Sequence, residues 1–146
     1  QVFLDRNAIA SAHHLKKEDV DNATVDFLVQ QPGIARAFAF DNLNMVTLNT
    51  TIKNKVTNSY FPSRSGDIQI IFDPQWIESL LQGGTTHGVW NPYDAHIPLI
   101  WYGWDITHGK TNHEVNITDI APTLAAMLHI QTPSGSIGHV IEEVAK

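Results

Sequence analysis

Two histidines beside an apolar run are the residues of this sequence best placed to do chemistry. His87 lies between Thr86 and Gly88 in a glycine-rich segment, and His96 follows nine positions later, directly before the apolar residues 97–102. An imidazole nitrogen can bind a metal ion, and glycines permit a tight turn that holds such a ring near a site. A spacing of nine is not a zinc pattern. The residues alone therefore leave two interpretations open, a metal site and a polar loop at the end of a strand.

Three segments, in order along the chain, resemble the alkaline phosphatase superfamily. They are Pro-Ser-Arg-Ser-Gly-Asp-Ile at 62–68, Gly-Gly-Thr-Thr-His-Gly at 83–88 with Tyr-Asp-Ala-His-Ile-Pro-Leu-Ile-Trp-Tyr-Gly at 93–103, and Asn-Ile-Thr-Asp-Ile-Ala-Pro-Thr-Leu at 116–124. The sequence is most similar to the bacterial alkaline phosphatases related to type I phosphodiesterases and nucleotide pyrophosphatases. Members of that family are several times longer, so the resemblance implies a C-terminal portion of such a protein.

The resemblance implies a zinc-dependent hydrolase of phosphate monoesters. Two zinc ions hold the phosphoryl group, which passes first to a Thr or Ser hydroxyl and then to water. Only His87 falls on a position that binds zinc in the family. His96 is a weaker candidate and is expected to be a partly buried, hydrogen-bonded histidine instead. Asp94 is expected to be a partner of His96 or an acceptor that orients a zinc ligand.

Most of the catalytic and metal-binding residues implied by the resemblance have no counterpart in this sequence. The nucleophile is expected upstream, so we predict no catalytic residue in this chain, and the substrate contacts stay unknown. One imidazole does not hold zinc tightly, so we expect the chain alone to bind no stoichiometric zinc and to hydrolyse no phosphate ester. A phosphodiesterase, a nucleotide pyrophosphatase, a sulfatase-like relative and a non-enzymatic module that keeps the scaffold remain as alternatives. The family also implies a periplasmic or secreted location, a small phosphate-ester substrate and a possible homo-oligomer.

The composition of the chain argues against several other functions. The chain has 146 residues, of which 42% are hydrophobic and 16% charged, and its formal net charge is −6. A protein that binds nucleic acid through electrostatic attraction needs a basic face, which this charge balance argues against. No apolar run approaches the roughly 20 residues of a membrane span. The chain has no cysteine, so disulfides and thiolate metal sites are excluded.

Periodicity predicts an α/β fold that positions these residues. We expect strands at 2–4, 34–40, 67–73, 97–102 and 112–117, and helices at 16–31, 43–60, 119–130 and 139–144. The predicted domains are a β-α-β-α-β subdomain at 1–73 and a second part at 74–146. In family terms, the second part belongs to a larger sheet with helices on both faces.

Specific residues should define the ends and faces of these elements. Asp41 is expected to cap the helix that follows it. Residues 5–11 are expected to form a polar connection. An ion pair between Arg64 and Asp67 is expected to fix a turn, in which Gly66 supplies a backbone angle forbidden to other residues. In the helix at 119–130, the expected buried face consists of Ile120, Leu124, Met127 and Leu128.

Overall fold

Two antiparallel strands form the centre of the first part of the molecule in the computed structural model, which describes residues 1–79, 83, 87–103 and 105–145. Strand β1 (Ile34–Ala39) pairs with β2 (Ile68–Phe72), with a register irregularity between Ile34 and Arg36. Val2 adds a single bridge to Ile68, so the predicted strand at 2–4 is reduced to one residue pair. Both longer strands were predicted from their aliphatic and aromatic residues. The chain divides into two compact units, Gln1–Ile97 and Pro98–Lys146.

Two helices precede β1. Helix α1 (Arg6–Ser11) begins at Asp5, whose side chain accepts hydrogen bonds from the backbone N–H groups of Asn7 and Ala8. The prediction of only a polar connection there was wrong, because an Asp N-cap satisfies two otherwise unpaired donors and stabilises even a short helix. Helix α2 (Lys17–Leu28) confirms the next prediction over a shorter range. Phe27 on this helix is 64% exposed.

The third helix starts later than predicted. Residues Phe40–Asn42 form a 3-10 turn, and helix α3 (Thr50–Ser59) begins only after Asn49, whose Oδ1 accepts from the backbone N–H of Thr51 at 2.9 Å. The prediction that Asp41 caps a helix over 43–60 was wrong. Side chains of Asn and Thr hydrogen-bond locally to the backbone and favour caps and turns over helix interiors.

Helix α3 contributes to the buried core beside β1. The buried cluster consists of Phe38, Phe40, Leu43 and Val56, and Val56 is fully buried. The ring of Tyr60 stacks on Phe40 with centroids 4.4 Å apart. The core therefore joins β1 to α3.

Asp67 anchors the N-terminal segment rather than its own turn. Its Oδ2 accepts from the Leu4 backbone N–H at 2.9 Å, and its Oδ1 accepts from Arg6 Nε at 2.8 Å. Arg6 Nη2 also lies 2.8 Å from Oδ1. The predicted Arg64–Asp67 pair was wrong, because the Arg64 guanidinium instead lies 4.5 Å over the Phe61 ring.

Gly66 is required by a close contact and not by its backbone angle. Its φ is not among the positive values, so the predicted reason was wrong. A Cβ at this position would lie 2.6 Å from the carbonyl oxygen of Val2. The glycine therefore lets the N-terminal segment approach β2 closely enough to pair with it.

The unit Pro98–Lys146 is organised around a buried aspartate. A 3-10 turn (Ile117–Asp119) leads into the last described helix, Ile120–Met127. The Asp119 carboxylate accepts from the backbone N–H groups of Asn116 at 2.7 Å and His139 at 2.9 Å. The buried hydroxyl of Thr123 donates to the Asp119 carbonyl and accepts from the Ile141 N–H. These bonds tie the C-terminal segment to the start of the helix.

Several predictions for this unit were wrong. Within the described residues, 97–102 and 112–117 form no strand. A strand requires backbone hydrogen bonds to an adjacent strand, and neither segment is paired in this way. Residues 139–144 contain a turn where a helix was predicted. On the last helix Leu124 and Leu128 are 43% and 57% exposed, and the buried residues are Pro122, Thr123 and Ala125.

The combination of helices with a small antiparallel sheet confirms the α/β class. Among the described residues, no helix is long and apolar enough to cross a membrane. The predicted domain boundary after residue 73 stays a prediction.

Candidate metal-ligand site at His87

A single helical turn holds the acidic partner of His87. Helix α4 (Pro92–Ala95) starts after Asn91, whose carbonyl accepts from the N–H groups of Asp94 and Ala95 at 2.9 Å each. Pro92 stands at the first helical position, where its fixed φ suits the helix and its missing N–H leaves no unpaired donor. The turn places the Asp94 side chain back toward the preceding loop.

The carboxylate of Asp94 binds that loop at three points. Its Oδ1 lies 2.6 Å from Nδ1 of His87, and its Oδ2 accepts from the backbone N–H groups of Gly88 and Val89 at 3.0 Å each. The Gly88 hydrogen bond, followed by those from His87 and Val89, lowers the pKa of Asp94 to about 2. The carboxylate is therefore ionised throughout the neutral range, and its side chain is only 8% exposed.

The loop rests on the sheet and on α3. Gly88, Val89, Trp90 and Asn91 line a crevice of about 50 Å³ together with Ile52 of α3 and residues 70–72 of β2. Trp90 packs against the buried cluster of the core. Because the loop is seated on regular elements, the position of His87 depends on the packing of the core as well as on Asp94.

Tyr93 provides a second attachment. Its hydroxyl oxygen accepts from the backbone N–H of Gln75 at 2.7 Å. Gln75 has φ 69, a left-handed conformation that is uncommon for a residue other than glycine. The bond therefore links α4 to the bend that follows β2.

The structure brings together two of the three predicted site residues. His87 contacts Asp94, and its side chain is 94% exposed. His96 is exposed, so the expectation of partial burial was wrong, and Asp94 is the partner of His87 instead. The other members of the glycine-rich motif, residues 84–86, lie outside the described residues. The role of His87 as a metal ligand stays a prediction.

A second histidine–carboxylate pair was missed by the sequence reasoning. Nδ1 of His113 lies 2.6 Å from Oε1 of Glu143, and Thr111 Oγ1 lies 3.4 Å from the same oxygen. The pKa of Glu143 is lowered by its own backbone N–H and by the His113 contact. A separation of 30 residues carries no periodic signal, so this pair depends on the tertiary fold.

Comparison with solved structures defines the class of protein. A crystal structure of wild-type alkaline phosphatase PafA matches 100% of this chain and 28% of that chain, with a TM-score of 0.95 and 40% sequence identity. No family model matches the sequence. The chain belongs to the alkaline phosphatase family, as a C-terminal portion of such a protein, and the predicted resemblance is confirmed.

Individual relatives support this assignment. Alkaline phosphatase PhoV of Synechococcus elongatus is 47% identical over 100% of this chain, and PafA of Elizabethkingia meningoseptica is 40% identical over 99%. A relative from Myroides odoratus, 38% identical over 98% of the chain, bears the name calcium-transporting ATPase. The chain spans about a quarter of the length of these relatives, covering 26% of each.

Proposed function

We propose that this chain supplies one zinc ligand, His87, to a phosphate-ester hydrolase that acts on phosphomonoesters. The observation that carries the proposal is the 2.6 Å contact between His87 Nδ1 and the Asp94 carboxylate. A carboxylate on one ring nitrogen is the usual partner of a histidine that binds metal through the other nitrogen. The similarity to alkaline phosphatases PhoV and PafA supports the choice of reaction.

The donor chemistry at His87 fits zinc, which binds neutral imidazole nitrogens. Within 1–79, 83, 87–103 and 105–145, no group of three or more potential ligand side chains gathers at one place. We propose His87 as a single ligand, with the remaining ligands of two zinc ions supplied by other parts of the protein. Bound zinc would polarise the phosphoryl oxygens and lower the pKa of a water molecule.

The residues of this chain have a limited part in the proposed reaction. His87 provides a neutral nitrogen, and Asp94 keeps the ring in place through bonds that are already formed. A Thr or Ser nucleophile outside this chain would accept the phosphoryl group before its transfer to water. The chain by itself would be inactive. The proposed setting is the periplasm or the cell exterior, and the proposed assembly is a homo-oligomer.

The test compares three histidine variants in the longer protein that contains this chain. His87→Ala should remove bound zinc and reduce turnover of a nitrophenyl phosphate by at least about 100-fold. His108→Ala is the matched control, because that histidine is also exposed and belongs to the unit Pro98–Lys146. His96→Ala tests the weaker candidate. If His96→Ala removed zinc while His87→Ala retained it, the assignment would pass to His96.

Two further measurements separate the parts of the proposal. A bis(nitrophenyl) phosphate should be a much poorer substrate than the monoester, and the reverse preference would favour a phosphodiesterase. Titration of the purified 146-residue chain with zinc should show no tight stoichiometric site. One tight site, or hydrolysis of the monoester by this chain alone, would contradict the proposed division of the ligands.

A further inference from the structure

The two oxygens of Asp94 have different hydrogen-bonding tasks. Oδ2 accepts from two backbone N–H groups, those of Gly88 and Val89, at 3.0 Å each. A backbone N–H can only donate, so the atom at this position must be an acceptor. Oδ1 lies 2.6 Å from His87 Nδ1, and an ionised carboxylate has no proton to give. The proton of this contact must therefore belong to the imidazole.

We propose that Asp94 is a positioning residue that fixes neutral His87 in the tautomer with its proton on Nδ1. The lone pair of the ring then lies on Nε2, the nitrogen through which a metal would bind. The arrangement is complete within this chain and needs no metal to form. It goes beyond the assignment of His87 as a ligand, and only its consequence for zinc affinity rests on the proposed function.

The geometry makes an unusual prediction for the isosteric variant Asp94→Asn. An Asn side chain has one acceptor oxygen and one donor NH₂ group. The two backbone N–H groups require the oxygen, which turns the NH₂ group toward His87 Nδ1. Nδ1 must then accept a hydrogen bond, so the proton moves to Nε2. The most conservative substitution is therefore expected to reverse the tautomer, whereas Asp94→Ala only removes the preference.

Nitrogen-15 chemical shifts of the histidine rings measure this directly, because protonated and lone-pair nitrogens have separate shifts. The chain labelled with ¹⁵N-histidine is measured at a pH at which imidazole is neutral. The His87 signals are identified by their loss in His87→Gln, since the chain has 8 histidines. Asp26→Asn is the matched control, because Asp26 is exposed on α2 and the substitution makes the same change of charge.

The expected result is a proton on Nδ1 in the wild type and in Asp26→Asn, and on Nε2 in Asp94→Asn. Retention of the Nδ1 proton in Asp94→Asn would overturn the proposal, as would a wild type that carries its proton on Nε2. Should Asp94→Asn fail to fold, Asp94→Ala decides, because an unchanged preference for Nδ1 in that variant also overturns the proposal.

Zinc affinity in the longer protein keeps this inference separate from the proposed function. Asp94→Ala should weaken zinc binding about 10- to 100-fold, and Asp94→Asn should weaken it more. A purely structural role for Asp94 would produce the opposite order, because Asn preserves the shape and the oxygen that Ala lacks. If the tautomer reverses while zinc affinity is unchanged, the positioning role stands and the ligand role of His87 fails.

Discussion

The ion pair of Asp67 offers a quantitative test of how the N-terminal segment is held. The sequence favours Arg64 as its partner, three residues away, whereas the structure places Arg6 there at 2.8 Å. A double-mutant cycle with alanine at both positions measures the coupling of each arginine to Asp67. The same aspartate serves in both cycles, so the Arg64 cycle is an internal control.

The burial of the side chains sets the expected coupling energies. The Asp67 side chain is 3% exposed, but that of Arg6 is 58% exposed, so water screens part of the attraction. We expect a coupling of about 1–2 kcal/mol for Arg6 with Asp67, and no more than about 0.3 kcal/mol for Arg64. Asp67→Ala alone should cost about 2–4 kcal/mol, because it also leaves the backbone N–H of Leu4 without its acceptor.

Urea unfolding of the chain, followed by tryptophan fluorescence and circular dichroism, measures these free energies. The observed couplings should rank Arg6 far above Arg64. A coupling of Arg64 with Asp67 that equals or exceeds that of Arg6 would refute the placement of the N-terminal segment. A value near zero for both would show that solvent screening cancels the pair, and the large effect of Asp67→Ala would then come from Leu4 alone.

Three other predictions concern packing and pH. Gly66→Ala should lower the free energy of unfolding by about 1–3 kcal/mol, since its Cβ would lie 2.6 Å from a backbone oxygen; Gly109→Ala, with no atom within 4 Å, should be nearly neutral. Val56→Ala should lower the free energy of unfolding by about 2–3 kcal/mol, because it removes two buried methyl groups and leaves a cavity. Met45 is 82% exposed, so Met45→Ala should lower it by less than about 0.5 kcal/mol. Thermal or urea unfolding measures both changes. Because the pKa of Asp94 is lowered, the hydrogen bonds of its carboxylate contribute fully to stability above pH 3.8, the ordinary pKa, and this contribution is lost as the pH falls through about 2. The amide proton shifts of Gly88 and Val89 should therefore titrate with a midpoint near pH 2. A midpoint near 4 would contradict the three-point contact.

Local patterns in the sequence were sufficient for the elements whose causes are local. The apolar residues of β1 and β2 lie within the strands that they define. Asp5 and Asn49 also act locally, and their capping roles were missed only because competing interpretations of the same residues were preferred. The motif around His87 identified the family.

The sequence by itself determined the α/β class, the family and the identity of the candidate ligand. Tertiary structure alone decided which side chains contact each other. Arg6 contacts Asp67 across 61 residues, and His113 contacts Glu143 across 30 residues. Asp94 contacts His87 and not His96. The physical reason is that periodicity reports which way a side chain faces along its own element, whereas an ion pair or a hydrogen bond depends on which distant segment the folded backbone brings within about 3 Å.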